Sequence, residues 1–166
     1  MFVEIARVTT SDDIVCVGSL AREIWTQHFT PIIGESQVKY MLIKFQSADA
    51  IKSQISEGWE YYLAKVGNEW VGYTGLIPDL DHDKLMISKF YVKYSARGKG
   101  VGKTILDFIE EKCASEKTKC LWLTVNRFNQ GPIYWYKRRG FIVVDQVIKD
   151  IGNGFFMDDY IMEKTI

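Results

Sequence analysis

Cysteine, proline and histidine are scarce in this chain: three Cys, three Pro and two His among 166 residues. Cys16, Cys113 and Cys120 are scattered with no C-x-x-C pair, which argues against a disulfide scaffold and for a reducing compartment. His28 and His82 stand far apart with no cysteine pair beside them, so no metal constellation is expected. Excess charge of either sign is also missing, with 21 basic against 21 acidic residues. That balance excludes the basic surface of a nucleic-acid binder. No apolar run reaches the length of a membrane span. Met1-Phe2-Val3-Glu4-Ile5 lacks the basic patch and apolar stretch of a signal peptide. The apolar share of 47% and the length suit one domain over residues 1–166 with a substantial core. The expectation is a cytoplasmic protein with neither membrane nor nucleic acid as partner.

Periodicity orders the elements. Phe2, Val3, Ile5 and Val8 suggest a strand. Thr10-Ser11-Asp12-Asp13 offers an N-cap with an acid three residues on, ahead of Ile14, Val17, Leu20, Ala21 and Ile24 at helical spacing. Pro31 and Gly34 are expected to interrupt that helix. A second helix is predicted over Glu35 to Phe45 and a third from Ser47 to Glu57, closed by Gly58. Trp59 to Val66, Gly67-Asn68 and Glu69 to Leu76 read as a hairpin, followed by a strand from Lys84 to Tyr94. The next helix carries Val101, Ile105, Phe108, Ile109 and Cys113 on one stripe. Lys119 to Asn126 is a strand, and a short helix tolerates Pro132 in its first turn and ends at Gly140. Phe141 to Asp150 and Phe155 to Glu163 close the chain as strands around Gly152-Asn153-Gly154. This order predicts an α/β fold with a central mixed, mostly antiparallel sheet flanked by helices. The exposed edge of the closing hairpin leaves a homodimer open.

The chemistry is concentrated in Arg97-Gly98-Lys99-Gly100-Val101-Gly102-Lys103, between a strand and a helix. Glycines let main chain turn tightly and approach a ligand, and the helix start aims unpaired N–H groups at it. Such a turn receives phosphate, with Arg97, Lys99 and Lys103 adding positive charge. Counting eliminates two familiar loops. A nucleotide-hydrolase loop, G-x-x-x-x-G-K-[ST], would need glycine at Arg97. A dinucleotide fingerprint, G-x-G-x-x-G, would need it at Lys103. The pattern [QR]-x-x-G-x-[GA] fits from Arg97 to Gly102.

That loop resembles the pyrophosphate loop of the GNAT superfamily of N-acetyltransferases. Asn126, Asn129, Tyr134, Tyr136, Gly140 and Phe141 resemble the family's N-x-x-A-x-x-x-Y-x-x-x-G-F block, with Pro132 where a small alanine is usual. Ser88-Lys89-Phe90-Tyr91-Val92, Leu123-Thr124-Val125-Asn126 and Met157-Asp158-Asp159-Tyr160-Ile161-Met162 look similar to a bacterial subgroup of PaiA-like spermidine/spermine acetyltransferases. Trp25, His28, Phe29, Ile32-Ile33-Gly34 and Gln37 to Met41 extend that resemblance.

The resemblance implies acetyl transfer from acetyl-coenzyme A to a small primary amine, with a polyamine as one acceptor, by direct attack in a ternary complex. The loop, with Tyr91, Val92, Asn126, Asn129 and Tyr136, would bind the coenzyme. Tyr136 is the expected acid. Phenol to thiolate transfer is uphill by about 2 kcal/mol, small beside an enzymatic barrier. An alkylammonium must first lose a proton, a penalty of about 4–5 kcal/mol at pH 7. The fourth strand, where many members carry an acid, has Ser88 and Lys89 instead, so the base is not legible. Trp25, His28, Glu35, Asp158 and Asp159 are the candidates for contact with the acceptor, and the last two should point to opposite faces of their strand. A non-catalytic acyl-coenzyme A module and transfer to a peptide amine are the alternatives.

Overall fold

The computed structural model describes residues 2–166. Seven strands form one sheet in the order β1-β2-β3-β4-β5-β7-β6, where β1 is Val3–Arg7, β2 Glu60–Val66, β3 Glu69–Asp79, β4 Lys84–Val92, β5 Cys120–Asn126, β6 Ile142–Gly152 and β7 Phe155–Thr165. Among the described residues only the β4–β5 pair is parallel. One face is covered by α1 (Ser11–Ile33), α2 (Glu35–Phe45) and α3 (Ala48–Ser56), and the other by α4 (Val101–Ser115) and α5 (Gln130–Arg138). The fold is therefore the three-layer α/β arrangement expected, with strand ends that differ from expectation by up to three residues.

Each face is sealed by residues of the expected helical stripes together with Leu106, Trp25 and Phe29, which lay outside them. Ile105, Leu106, Ile109 and Cys113 of α4 meet Leu85, Ile87, Leu121 and Leu123 of the central strands, all essentially inaccessible. Burying each such Leu or Ile side chain contributes about 1.5–3 kcal/mol. Val17, Ala21, Ile24, Trp25 and Phe29 of α1 pack with Tyr61, Leu63 and Tyr73 on the opposite face. The expected cap is present: the Thr10 hydroxyl accepts from the Asp13 N–H at 3.1 Å, while the Asp13 carboxylate accepts from the Thr10 N–H at 3.0 Å.

Pro31 does not interrupt α1, which continues to Ile33 and stops at Gly34. Only the last turn follows Pro31, and Gly34, at φ +87°, ends the helix while its N–H donates to the Thr30 carbonyl. In β4 the Ser88-Lys89 step is the one polar interruption of the strand pattern, and the structure is irregular at that step. Gly75 faces Lys89 while Leu76 faces Ile87, so Ser88 is an extra residue and β4 is bulged there. A bulge bends its strand. β1 and β6 are the two edge strands, and Ile142, Val144 and Ile148 are exposed along β6.

Candidate functional site

The Ser88 bulge sits where the sheet opens. β4 and β5 pair only from Lys84 with Cys120 to Ile87 with Leu123. Beyond that, residues 89–92 of β4 are held by β3 and residues 124–126 of β5 by β7. A gap thus opens at the C-terminal ends of two parallel strands, leaving main-chain N–H and C=O groups of β4 facing it without a strand partner. Tyr91 and Val92 lie along its rim.

The glycine loop sits directly after this edge. A short 3-10 turn, Tyr94–Ala96, leads to Arg97, and α4 starts at Val101. Gly98 and Gly100 have φ of +74° and +81°, the left-handed region that side chains disfavour. Gly102 serves otherwise: a Cβ there would come within 3.3 Å of the Trp135 ring, so its absence lets α4 and α5 approach. Lys99 is exposed, and Lys103 pairs with Asp107 at 2.8 Å one turn on. Arg97 folds back, its Nε donating to the Val92 carbonyl at 3.2 Å.

α5 supplies the second wall. The side-chain oxygen of Asn126 accepts from the Phe128 N–H at 2.9 Å, shaping the turn after β5. Asn129 holds the N-cap position of α5 without a side-chain capping bond, and Pro132 sits in the first turn, where the missing N–H is no loss. Tyr136 is 7% exposed and packs edge-on to Phe90 and Phe141. Burial pushes its phenol well above the ordinary value, so it stays protonated. Tyr91 is raised too, by burial first and then by the charges of Tyr136 and Asp159.

The five acceptor candidates separate. Asp159 faces Asn126 across β5 and β7 and is 5% exposed, with Oδ1 buried and lacking a hydrogen-bond partner. Burial, aided by Asp158, raises its carboxyl to about 6. Asp158 takes the other face, as strand alternation requires. It is not free for a ligand, since Arg127 Nε donates to it at 2.6 Å and Gln146 Nε2 at 3.0 Å. Glu35 is also corrected: it lies exposed on α2, paired with Lys39 at 2.9 Å. Trp25 is a core residue tilted against Phe29 and edge-on to Tyr91, with the Tyr73 hydroxyl beside its indole. His28 lies at the rim: its Nε2 meets Asn129 Oδ1 at 2.8 Å and its Nδ1 is 3.5 Å from Arg97. Together with Ile24, Gln27, Tyr94 and Arg97 it lines a recess of about 130 Å³.

Lys89 had no assigned place. It is buried at 4% exposure, donates to the Phe45 carbonyl and to Gln54 Oε1, and lies over the Trp59 and Tyr61 rings. Desolvation lowers its ammonium to about 7. Its sequence gave no sign of this, because only the bulge turns it to the α1 face. A larger groove, about 500 Å³, runs between α4 and α5, but its Lys103 and Lys164 are already paired with Asp107 and Glu110.

Comparison with known proteins agrees with this geometry. The chain is similar to an uncharacterised N-acetyltransferase from Lactobacillus delbrueckii subsp. lactis, encoded in the pepI 3' region, at 25% identity over 155 residues and 89% of each chain. Its structure is similar to PaiA N-acetyltransferase from Thermoplasma acidophilum in complex with coenzyme A, with TM-score 0.81, 24% identity and full coverage of both chains. A GCN5-related N-acetyltransferase from Rhodopseudomonas palustris superposes with TM-score 0.81 at 16% identity, over 98% of this chain and 95% of the other. The model of the acetyltransferase (GNAT) family matches residues 21–141, spanning the gap, the glycine loop and α5, and the chain belongs to that family.

Proposed function

We propose that the protein transfers an acetyl group from acetyl-coenzyme A to a small primary amine, in the cytoplasm, by direct attack within a ternary complex. The observation that carries this reading is the juxtaposition of the β4–β5 gap with a loop whose two left-handed glycines precede a helix start. The chain's residues fit the coenzyme: the main chain of Gly98 to Gly102 would hold the diphosphate, and unpaired β4 amides near Tyr91 suit an extended amide-bearing arm. When bound, the coenzyme supplies an activated acetyl group as a thioester.

The rest falls to this chain. An amide of β4 facing the gap would hydrogen-bond the acetyl oxygen as it gains charge. Tyr136 would give its proton to the departing sulfur; burial keeps the phenol protonated and also weakens it as an acid, so the transfer is drawn by the negative charge developing on sulfur. Asn129 and His28 would close the rim beside the loop. A polyamine is the acceptor to test first, on the resemblance of residues 88–92, 123–126 and 157–162 to PaiA-like spermidine/spermine acetyltransferases and on the buried, unpartnered Asp159 carboxylate opposite Asn126.

Purified protein incubated with acetyl-coenzyme A and a panel of spermidine, spermine, simple alkylamines and a peptide N-terminus should release free thiol with at least one aliphatic amine. Absence of release across the panel overturns the reading. Release with the peptide alone would move the acceptor to protein amines.

A further inference from the structure

Three buried side-chain polar atoms among the described residues have no hydrogen-bond partner: Trp25 Nε1, Glu60 Oε2 and Asp159 Oδ1. Glu60 is accounted for by Lys112, 3.2 Å away. The Trp25 indole has the Tyr73 hydroxyl beside it, so the carboxylate is the atom left over. Asp159 sits opposite Asn126, the last residue of β5, where β4 and β5 have already parted. Buried polar groups are almost always satisfied, so this one points to a missing partner.

Asp159 is telling, because its neighbour shows what a structural aspartate looks like here. Asp158 is satisfied by Arg127 and Gln146. Asp159 instead faces the uncharged Asn126 of β5 and the apolar Val147 of β6. The charged and titratable groups around it are Asp158 on its own strand, Lys149 on β6 and Tyr91 on β4. None forms an ion pair with it, and a cation delivered from outside would complete the site.

We propose that Asp159 is the catalytic base: it receives the acceptor as an alkylammonium and takes its first proton. The inference rests on the acetyl-transfer reading and narrows the acceptor to amines that are cationic at neutral pH. The balance closes. The ammonium N–H breaks and its proton goes to the Asp159 carboxylate, leaving a lone pair on nitrogen. Nitrogen then bonds to the acetyl carbon and the carbon–sulfur bond breaks with its electron pair staying on sulfur. Nitrogen's second proton replaces the one Tyr136 gives to sulfur, so amide and thiol leave and the Asp159 proton is released to water.

Asp159→Asn is the test, since it keeps shape while removing the base. With an alkylamine at pH 7 the variant should lose at least 100-fold in kcat/KM, and the wild-type acidic limb near pH 6 should vanish. With 2,2,2-trifluoroethylamine, already neutral at that pH, the loss should stay under tenfold. A readout independent of turnover is the Asp159 carboxyl resonance, whose titration midpoint should fall when spermidine is added without coenzyme. Equal loss with both amines, a spermidine-insensitive midpoint, or full activity in the variant would overturn the base assignment while acetyl transfer by the wild type stands. A wild type inactive on every amine overturns both.

Discussion

His28 Nε2 donates to Asn129 Oδ1 across 2.8 Å, tying α1 to the cap of α5 over the opening between β4 and β5. The bond fixes the imidazole: Nδ1 is left as an acceptor facing Arg97 at 3.5 Å. Burial first, and the nearby guanidinium with it, hold His28 below its ordinary pKa, against the pull of the Asn129 bond. An imidazole depressed in the fold binds its proton more readily when unfolded, so stability falls as pH drops below about 6.5. His28→Ala should cost about 1 kcal/mol at pH 7.5. It should also flatten that acid-side slope, as read by thermal unfolding from pH 5 to 8.

Gly100 begins α4 at φ +81°. Alanine there must adopt the left-handed conformation, at a cost of about 1–2 kcal/mol. Relaxation would turn the loop amides away from one another, so Gly100→Ala should weaken coenzyme A binding at least tenfold by calorimetry. Gly131, in α5 with open space around it, is the control, and Gly131→Ala should leave that affinity within twofold.

On the proposed mechanism, Tyr136→Phe removes a proton donor and little packing, because the ring contacts with Phe90 and Phe141 remain. General acid catalysis of this kind contributes about 10²–10⁴-fold. Turnover should fall by about 100-fold or more, while coenzyme affinity measured by calorimetry stays within threefold.

Lys89 carries the opposite sign from a helpful charge. Its ammonium falls to about 7 in the fold from 10.5, so between those values the unfolded chain holds a proton the native one lacks. Stability therefore rises with pH through that window, and the burial penalty is complete below pH 7. Lys89→Met keeps the stem's packing, and the Phe45 carbonyl retains the Gln54 amide at 3.1 Å. The variant should gain about 1–3 kcal/mol at pH 7 and lose the rise toward pH 10 in denaturant titrations.

The elements were legible because they rest on local rules. Thr10 with Asp13 marks a helix start, the Val101–Cys113 stripe marks a buried face, and glycine spacing separates this loop from two others. The strand pair Asp158-Asp159 was legible as one residue facing each way. Of the expected site, Arg97 of the loop and Asn129 are both brought to His28, while Tyr136 is buried among Phe90, Trp135 and Phe141. Glu35 was misplaced because helical periodicity says which face is polar, not where that face points; α2 turns it to solvent beside Lys39. Asp158 was misjudged because Arg127 and Gln146, its partners, come from outside its own strand.

What the amino-acid order determined by itself was the succession of strands and helices, the identity of the core, and a phosphate-receiving turn at residues 97–103. These depend on contacts between near neighbours and on φ preferences. Only the tertiary structure decided that β4 parts from β5 after Ile87, that Lys89 turns inward, and that Asp159 is buried without a partner. Those outcomes depend on one extra residue at Ser88 and on which groups distant strands bring together. Burial and pairing set the charge of a side chain, and both are properties of the assembled sheet.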